Sequence, residues 1–377
     1  MQVQQVLLQS PQDEAGLDGL AAMLPQAVLV FGAVRFFETP GWGDQLAKRF
    51  PQATVVGCST AGEITVDGMD EGTCTVTAVC LERTSLVFGS TLAEDMADSQ
   101  AAGERVARAL LRPDLKAVLV LAPGVALNGS ALVRGMQQAL GKGVAISGGL
   151  AGDGGAFMKT YVLGGGVVQD RAVVALGLCG DHVQVGHGSF GGWTPFGPDR
   201  KVTRSQGNVL YELDSEPALE VYKRYLGEHA KDLPASGLLF PFSMQRVGEP
   251  ALIRTILGIN EAEGSLTLAG EIDSEGSLQL MQASTDNLVD GAQDAATWAR
   301  NMHAGAQATL AILVSCVGRK LVMGDRVDEE LDAVADVLGR QAVLTGFYSN
   351  GEISPSGPNG QCSLHNQTMT VTTLSES

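Results

Sequence analysis

The feature that most limits how this chain can fold is an order of segments that recurs three times. A β-branched apolar run is followed by a stretch of helical spacing, a second apolar run, and a turn of small residues ending in an acid. The first copy joins Ala27-Val-Leu-Val-Phe-Gly-Ala33, a helical stretch from Trp42 to Phe50, and Thr54-Val-Val-Gly-Cys-Ser-Thr-Ala-Gly-Glu63. The second places Lys116-Ala-Val-Leu-Val-Leu121, a helix over 130–140 and Gly143-Val-Ala-Ile-Ser-Gly-Gly-Leu-Ala-Gly-Asp153 in the same order. A third, partial copy has a strand over 308–315, a helix over 327–338 and Ala342-Val-Leu-Thr-Gly-Phe-Tyr-Ser-Asn-Gly-Glu352. Further short runs after the turns, 73–81 with 85–90 and 171–178 with 182–188, read as closing hairpins. Strand-helix-strand implies a parallel crossover and adjacent strands imply antiparallel pairing. The expected class is therefore α/β: mixed parallel and antiparallel sheets flanked by helices, built from repeated strand-helix-strand-hairpin units, in two domains. A region over 208–245 with a helix over 216–229 reads as the link, which sets the expected domains at 1–220 and 221–377.

Composition narrows the function classes. Glycine makes up 48 of 377 residues, well above the usual ~7%, yet the glycines punctuate strands and are not low complexity. A net charge of -17 opposes a phosphate backbone, which needs a basic field, so nucleic acid is excluded as a partner. No apolar run approaches the ~18 residues of a membrane span, and the first ten residues lack a basic secretory n-region. The six cysteines form no C-x-x-C pair and sit mostly in apolar runs, which speaks for reduced thiols, a cytoplasmic location and no structural zinc.

Glu63, Asp153 and Glu352 hold the same place in the three copies, after a strand and a run of small residues. In α/β proteins such strand ends gather ligand sites, and small residues let a ligand approach the backbone. The other reading is that each acid caps turn amides. Cys58, beside Ser59 and Thr60, has the look of a nucleophile near an acid. It would need a base, no histidine lies in that turn, and Gly148 and Phe347 replace it in the other copies; a Cys-dependent hydrolase is the enzymatic alternative to a binding protein.

The strings Val56-Gly-Cys-Ser-Thr-Ala-Gly-Glu63, Ser147-Gly-Gly-Leu-Ala-Gly-Asp153, Ser315-Cys-Val-Gly-Arg319, Gly346-Phe-Tyr-Ser-Asn-Gly-Glu-Ile353 and Leu364-His-Asn-Gln-Thr368 together resemble the FIST family. So do Gly192-Trp-Thr-Pro-Phe-Gly-Pro198, Val202-Thr203 and Tyr211-Glu-Leu-Asp214, and the likeness runs from about residue 25 to the end. The resemblance implies an N and a C domain and a sensory, ligand-binding role in bacterial signal transduction. With no segment left for an output domain, it implies a regulator acting in trans on a signalling partner such as a histidine kinase. Stand-alone members of about this length include a haem-binding group that senses nitric oxide, and the chain is similar to that group in length and architecture.

If haem is the ligand, an axial imidazole is needed, and C-x-x-C-H attachment is absent. His187 lies among glycines with Phe190 and Trp193 near enough in sequence to wall a ring; His303 ends a helix; His182 is the third candidate. Arg319 would pair a propionate or other carboxylate, or else form an internal bridge, for instance to Glu352. Tyr348, Asn350, Asn366 and His365 belong to the family strings and would complete the same ligand pocket. An amino acid or other small organic anion, without haem, fits these residues as the alternative ligand.

Overall fold

A computed structural model of the chain describes residues 1–246, 249–303, 307–356 and 361–377. Three six-stranded sheets share one plan. Each unit supplies an edge strand, two parallel strands and a closing antiparallel strand. In the first unit these are Gln2–Leu8, Ala27–Gly32, Thr54–Ser59 and Cys74–Cys80. In the second they are Ser85–Leu92, Leu115–Ala122, Ala145–Leu150 and Ala172–Cys179. In the third they are Val183–Phe190, Leu310–Cys316, Val343–Ser349 and Met369–Glu376.

The last two strands of every sheet come from another unit. The hairpin Glu63–Thr65 with Gly68–Asp70 leaves the first unit and pairs with Val343–Ser349 of the third. Val162–Gly164 with Val167–Gln169 leaves the second and pairs with Thr54–Ser59 of the first. Gly351–Pro355 with Cys362–His365 leaves the third and pairs with Ala145–Leu150 of the second. The exchange is cyclic, so no unit closes its sheet alone.

This plan corrects two expectations. The adjacent strands over 73–81 and 85–90 do not pair with each other, and neither do those over 171–178 and 182–188. The second member of each opens the next unit, which also makes the third copy complete. At the first of these joins the backbone N–H groups of Glu82, Arg83 and Thr84 all donate to the Glu376 carboxylate of the third unit. The link is thereby held out against that strand and does not turn back as a hairpin.

The glycines of the second parallel strands have one physical cause. Gly57, Gly148 and Gly346 stand in register with Val30, Val120 and Leu313 of the partner strands. A Cβ at any of the three would be driven into the carbonyl oxygen of its partner. The inner faces of the three sheets meet in a shared core, where the Phe31 and Phe347 rings lie 4.8 Å apart. Helices cover the outer faces, among them Trp42–Arg49 on the first sheet, Ser99–Ala109 and Gly129–Leu140 on the second, and Thr285–Asn301 and Asp328–Leu338 on the third.

Between Val183–Phe190 and Thr285–Asn301 the third unit carries an insertion. It forms a nine-stranded antiparallel sheet packed on the helix Ala218–Leu226. The expected division near 220 falls inside this sheet, whose strands Arg200–Gln206 and Val209–Leu213 precede it and whose strands from Phe242 to Gln282 follow it. No helix among the described residues is long and apolar enough to cross a membrane.

Candidate functional site

The three acidic turns meet, but they meet each other. Ala61 N–H donates to Tyr348 O at 2.8 Å and Tyr348 N–H to Gly62 O at 2.9 Å. Gly152 N–H donates to Ser59 O at 2.8 Å, and Asn350 N–H to Leu150 O at 3.2 Å. A Cβ on Gly152 would press on Ala61 N and the Thr60 carbonyl carbon. The small residues therefore admit neighbouring backbone, where the sequence alone had left room for a ligand.

The acids cap. Glu63 accepts from the Thr73 backbone N–H at 3.0 Å and its hydroxyl at 2.8 Å, and from the Thr60 hydroxyl. Glu352 repeats this with the Thr368 N–H at 3.1 Å, the Thr368 hydroxyl at 2.8 Å and the Ser349 hydroxyl at 2.9 Å. Burial pushes the Glu352 carboxyl up to about 7 against the pull of those donors. Asp153 accepts from the N–H groups of Phe157, Met158 and Lys159.

Arg319 is completely buried, and its bridge runs to Glu330, not to Glu352. Its Nε and Nη2 donate to one Glu330 oxygen at 3.1 and 2.7 Å, and Nη1 and Nη2 donate to the carbonyls of Gly191 and Leu288. The other Glu330 oxygen accepts from the Ser315 and Tyr348 hydroxyls at 2.9 and 2.7 Å. Glu330 was missed in the sequence because it lies in the acidic first turn of a surface-patterned helix, Asp328–Leu338. Tyr348 and Arg319 are thus engaged with each other's partner inside the core.

The histidines separate clearly. His303 is buried with Nε2 2.6 Å from the Thr373 hydroxyl and Nδ1 3.2 Å from Ser375 Oγ. His365 is buried with Nε2 3.0 Å from Ser354 O, and burial lowers its imidazole to about 4. His182 is exposed, with Nδ1 3.0 Å from Ser377 O. His187 is 5% exposed and lines a cavity of about 780 Å³ together with Val183, Val185 and Met302. Residues 183, 185 and 187 share one face of their strand, whereas Phe190 packs on Trp298 at 5.6 Å and the Trp193 indole donates to Gln367 O. The expected aromatic walls are therefore not the neighbours that line the cavity.

Cys58 is fully buried and its thiol is pushed well above its ordinary value, so it lacks the exposure and thiolate character of a nucleophile. Among the described residues no cluster of three or more His, Cys, Asp or Glu side chains is arranged to hold a metal ion.

A second cavity, about 650 Å³, opens where the second unit, the insertion and the third unit meet. Leu127, Leu238, Ile256 and Leu364 give it apolar walls, and Phe157, Leu257 and Leu321 stand exposed at its edge. Asn350 lines it too. Both amide atoms of Asn350 are shielded from solvent and neither has a hydrogen-bond partner among the described residues. Asn366 is 2% exposed and leaves its Oδ1 in the same condition. An apolar cleft holding an amide with a free donor and a free acceptor is a recognised form of ligand site.

The FIST N domain matches residues 26–216 and the FIST C domain matches 218–355. An uncharacterized protein of Methanocaldococcus jannaschii is 36% identical over 93 residues, which span 23% of this chain and 17% of that one. A crystal structure of cyanuric acid hydrolase from A. caulinodans aligns over 100% of this chain and 98% of its own at 12% identity, with a TM-score of 0.38.

Proposed function

The chain belongs to the FIST family, whose domains are sensory modules for small ligands, and we propose that it senses a small, mostly apolar molecule in the cleft at Asn350. The observation that carries this reading is the Asn350 amide, shielded and without a hydrogen-bond partner among the described residues, in an apolar wall. Leaving it so costs stability unless a ligand supplies the missing bonds. The cleft is bounded by residues from both family domains, so occupancy would bias their fit, and a separate partner such as a histidine kinase would read the change. A thermal-shift screen of small neutral and zwitterionic compounds tests the site. Hits that Asn350→Leu fails to bind support it, and hits bound equally by that variant refute it. Adding protein and hit to a candidate kinase then tests the output, through ligand-dependent autophosphorylation.

A second reading, haem at His187, has its own support. Of the three histidine candidates, His187 alone lines one of the cavities described, and Lys116, Arg134 and Lys142 line it too and suit propionates. The donor set fits the group: an imidazole in the wall, with apolar valines and cations in the same lining. Bound haem would supply an iron centre for nitric oxide. His187 would hold the ring and the valines would keep water from it. The absorption spectrum of protein given haemin tests this reading. A Soret band lost in His187→Ala supports it, and a colourless wild type or a band unchanged by that substitution overturns it.

A further inference from the structure

A third cavity, about 340 Å³, lies at the junction of the helix Gly129–Leu140 with the inserted sheet. It is walled by Arg134, Arg246 and Arg254, and its carboxylates are Glu271 and Asp273. In a chain with 42 acidic and 25 basic residues, such a concentration of arginines needs a cause.

Arg254 supplies it. The residue ends the strand Glu249–Arg254 and is 3% exposed. Its Nε donates to Glu271 O at 3.1 Å, and Nη1 donates to Ile253 O at 3.1 Å and Leu364 O at 3.2 Å. Nη2 makes no hydrogen bond among the described residues, and no described carboxylate lies within ion-pair distance of the guanidinium. The contrast with Arg319 is direct, since that guanidinium is as deeply buried and has Glu330 against it. The carboxylates of the cavity are spent elsewhere: Glu271 takes Arg134 and the Asn128 amide, and Asp273 accepts the Glu275 N–H. Burial lowers Arg254 to about 10, the charge of Arg246 adds to that effect, and the nearby Glu271 opposes it. A buried cation whose nearest carboxylate is already held by another arginine is costly, and an entering anion reduces the cost.

We propose that this cavity binds a small organic acid through a carboxylate seated on the free edge of Arg254. One edge of the Arg254 guanidinium is open and the Glu271 carboxylate lies close to it, so a monoanionic carboxylate matches better than a phosphate dianion. The volume is at the small end of ligand cavities, roughly 300–1,000 Å³. Arg134 and Arg246 stand at the wall to steer the anion inward. Leu364 and Glu271 divide this cavity from the Asn350 cleft, and the inference does not rest on that cleft being occupied.

The test is isothermal titration of the full chain with acetate, propionate and inorganic phosphate at constant ionic strength. Acetate or propionate is expected to saturate, with phosphate weaker. Arg254→Met should weaken the carboxylate by at least about tenfold, since it removes a desolvated charge-assisted contact. Arg246→Gln should weaken it severalfold, and that variant decides the matter if Arg254→Met does not fold. Asn350→Leu should bind the carboxylate as the wild type does, which separates this site from the cleft. No saturation up to about 10 mM, tighter binding of phosphate, or equal affinity in the Arg254→Met and Arg246→Gln variants (an adventitious ion only) would overturn the proposal.

Discussion

Glu330→Gln puts the Arg319 network to a quantitative test. The substitution keeps the shape of the side chain and removes its charge. In the wild type both residues are fully buried, and the Glu330 carboxylate takes four donors: two from Arg319 and the hydroxyls of Ser315 and Tyr348. The amide has one acceptor oxygen to offer where the carboxylate had two. Either the Arg319 guanidinium or the two hydroxyls then face an NH2 group. Breaking a buried pair on one side costs about 3–5 kcal/mol, most of it the price of the cation left behind. Arg319 keeps its bonds to the carbonyls of Gly191 and Leu288, so the lower part of that range is expected. Urea unfolding followed by tryptophan fluorescence reads the loss, because Trp193 packs against this core. The double variant Arg319→Met, Glu330→Gln should recover a large share of it, since no unpaired charge remains. A loss below about 1 kcal/mol for Glu330→Gln, the scale of an exposed ion pair, would refute the structural role and return Arg319 to the ligand-binding candidates.

Two further expectations follow from the repeat itself. Glu352 has a folded-state value of about 7 against an ordinary 4.5, so between those values the native state binds more protons than the unfolded state. Stability then falls as pH rises from 4.5 to 7, and Glu352→Gln should flatten that slope in urea titrations across the range; an unchanged slope would assign the dependence elsewhere. Gly148 has φ +136° and faces Val120 O across the sheet, so Gly148→Ala should cost at least about 2 kcal/mol. Gly19→Ala, in a helix with open space around it, should instead gain about 0.5–1 kcal/mol. Equal effects at the two glycines would remove the explanation given for the repeated Gly57, Gly148 and Gly346.

The strands and helices were legible because local physics sets them. Buried runs such as Leu310–Cys316 are apolar throughout, and helices such as Gly129–Leu140 show one apolar face with an Asn128 cap. Pairing was less legible. Nothing in Leu81-Glu-Arg-Thr84 announces that its amides bind Glu376, almost 300 residues away, and so two hairpins were expected where none forms. The exchange of strands among units was hidden for the same reason, since it is a property of three turns meeting. Of the candidate site, Asn350 reaches a cleft and His187 a cavity, while Glu63, Asp153, Glu352, Arg319 and Tyr348 bind other parts of the chain. Arg254 and Glu271 carried no motif, because a single arginine in a β-strand looks like any edge cation until its burial is known.

The repeat also marks its own exception. Two residues before each acid the first two copies carry Ala61 and Ala151, and the third carries Asn350. The alanines give their backbone N–H groups to neighbouring strands, and so does Asn350, so the fold at this position asks for nothing beyond Cβ. The extra amide adds two shielded polar atoms with no partner among the described residues, at a cost of about 1–3 kcal/mol. Natural sequences retain such a cost mainly where it serves a site. Asn350→Ala restores the repeat and should therefore raise the unfolding midpoint of the ligand-free protein while weakening any ligand of the cleft. Calorimetry with and without a screening hit measures both quantities in one series. If the variant is less stable than the wild type, the amide has a structural partner and the cleft loses its anchor; if it is more stable and binds the hit unchanged, the ligand sits elsewhere.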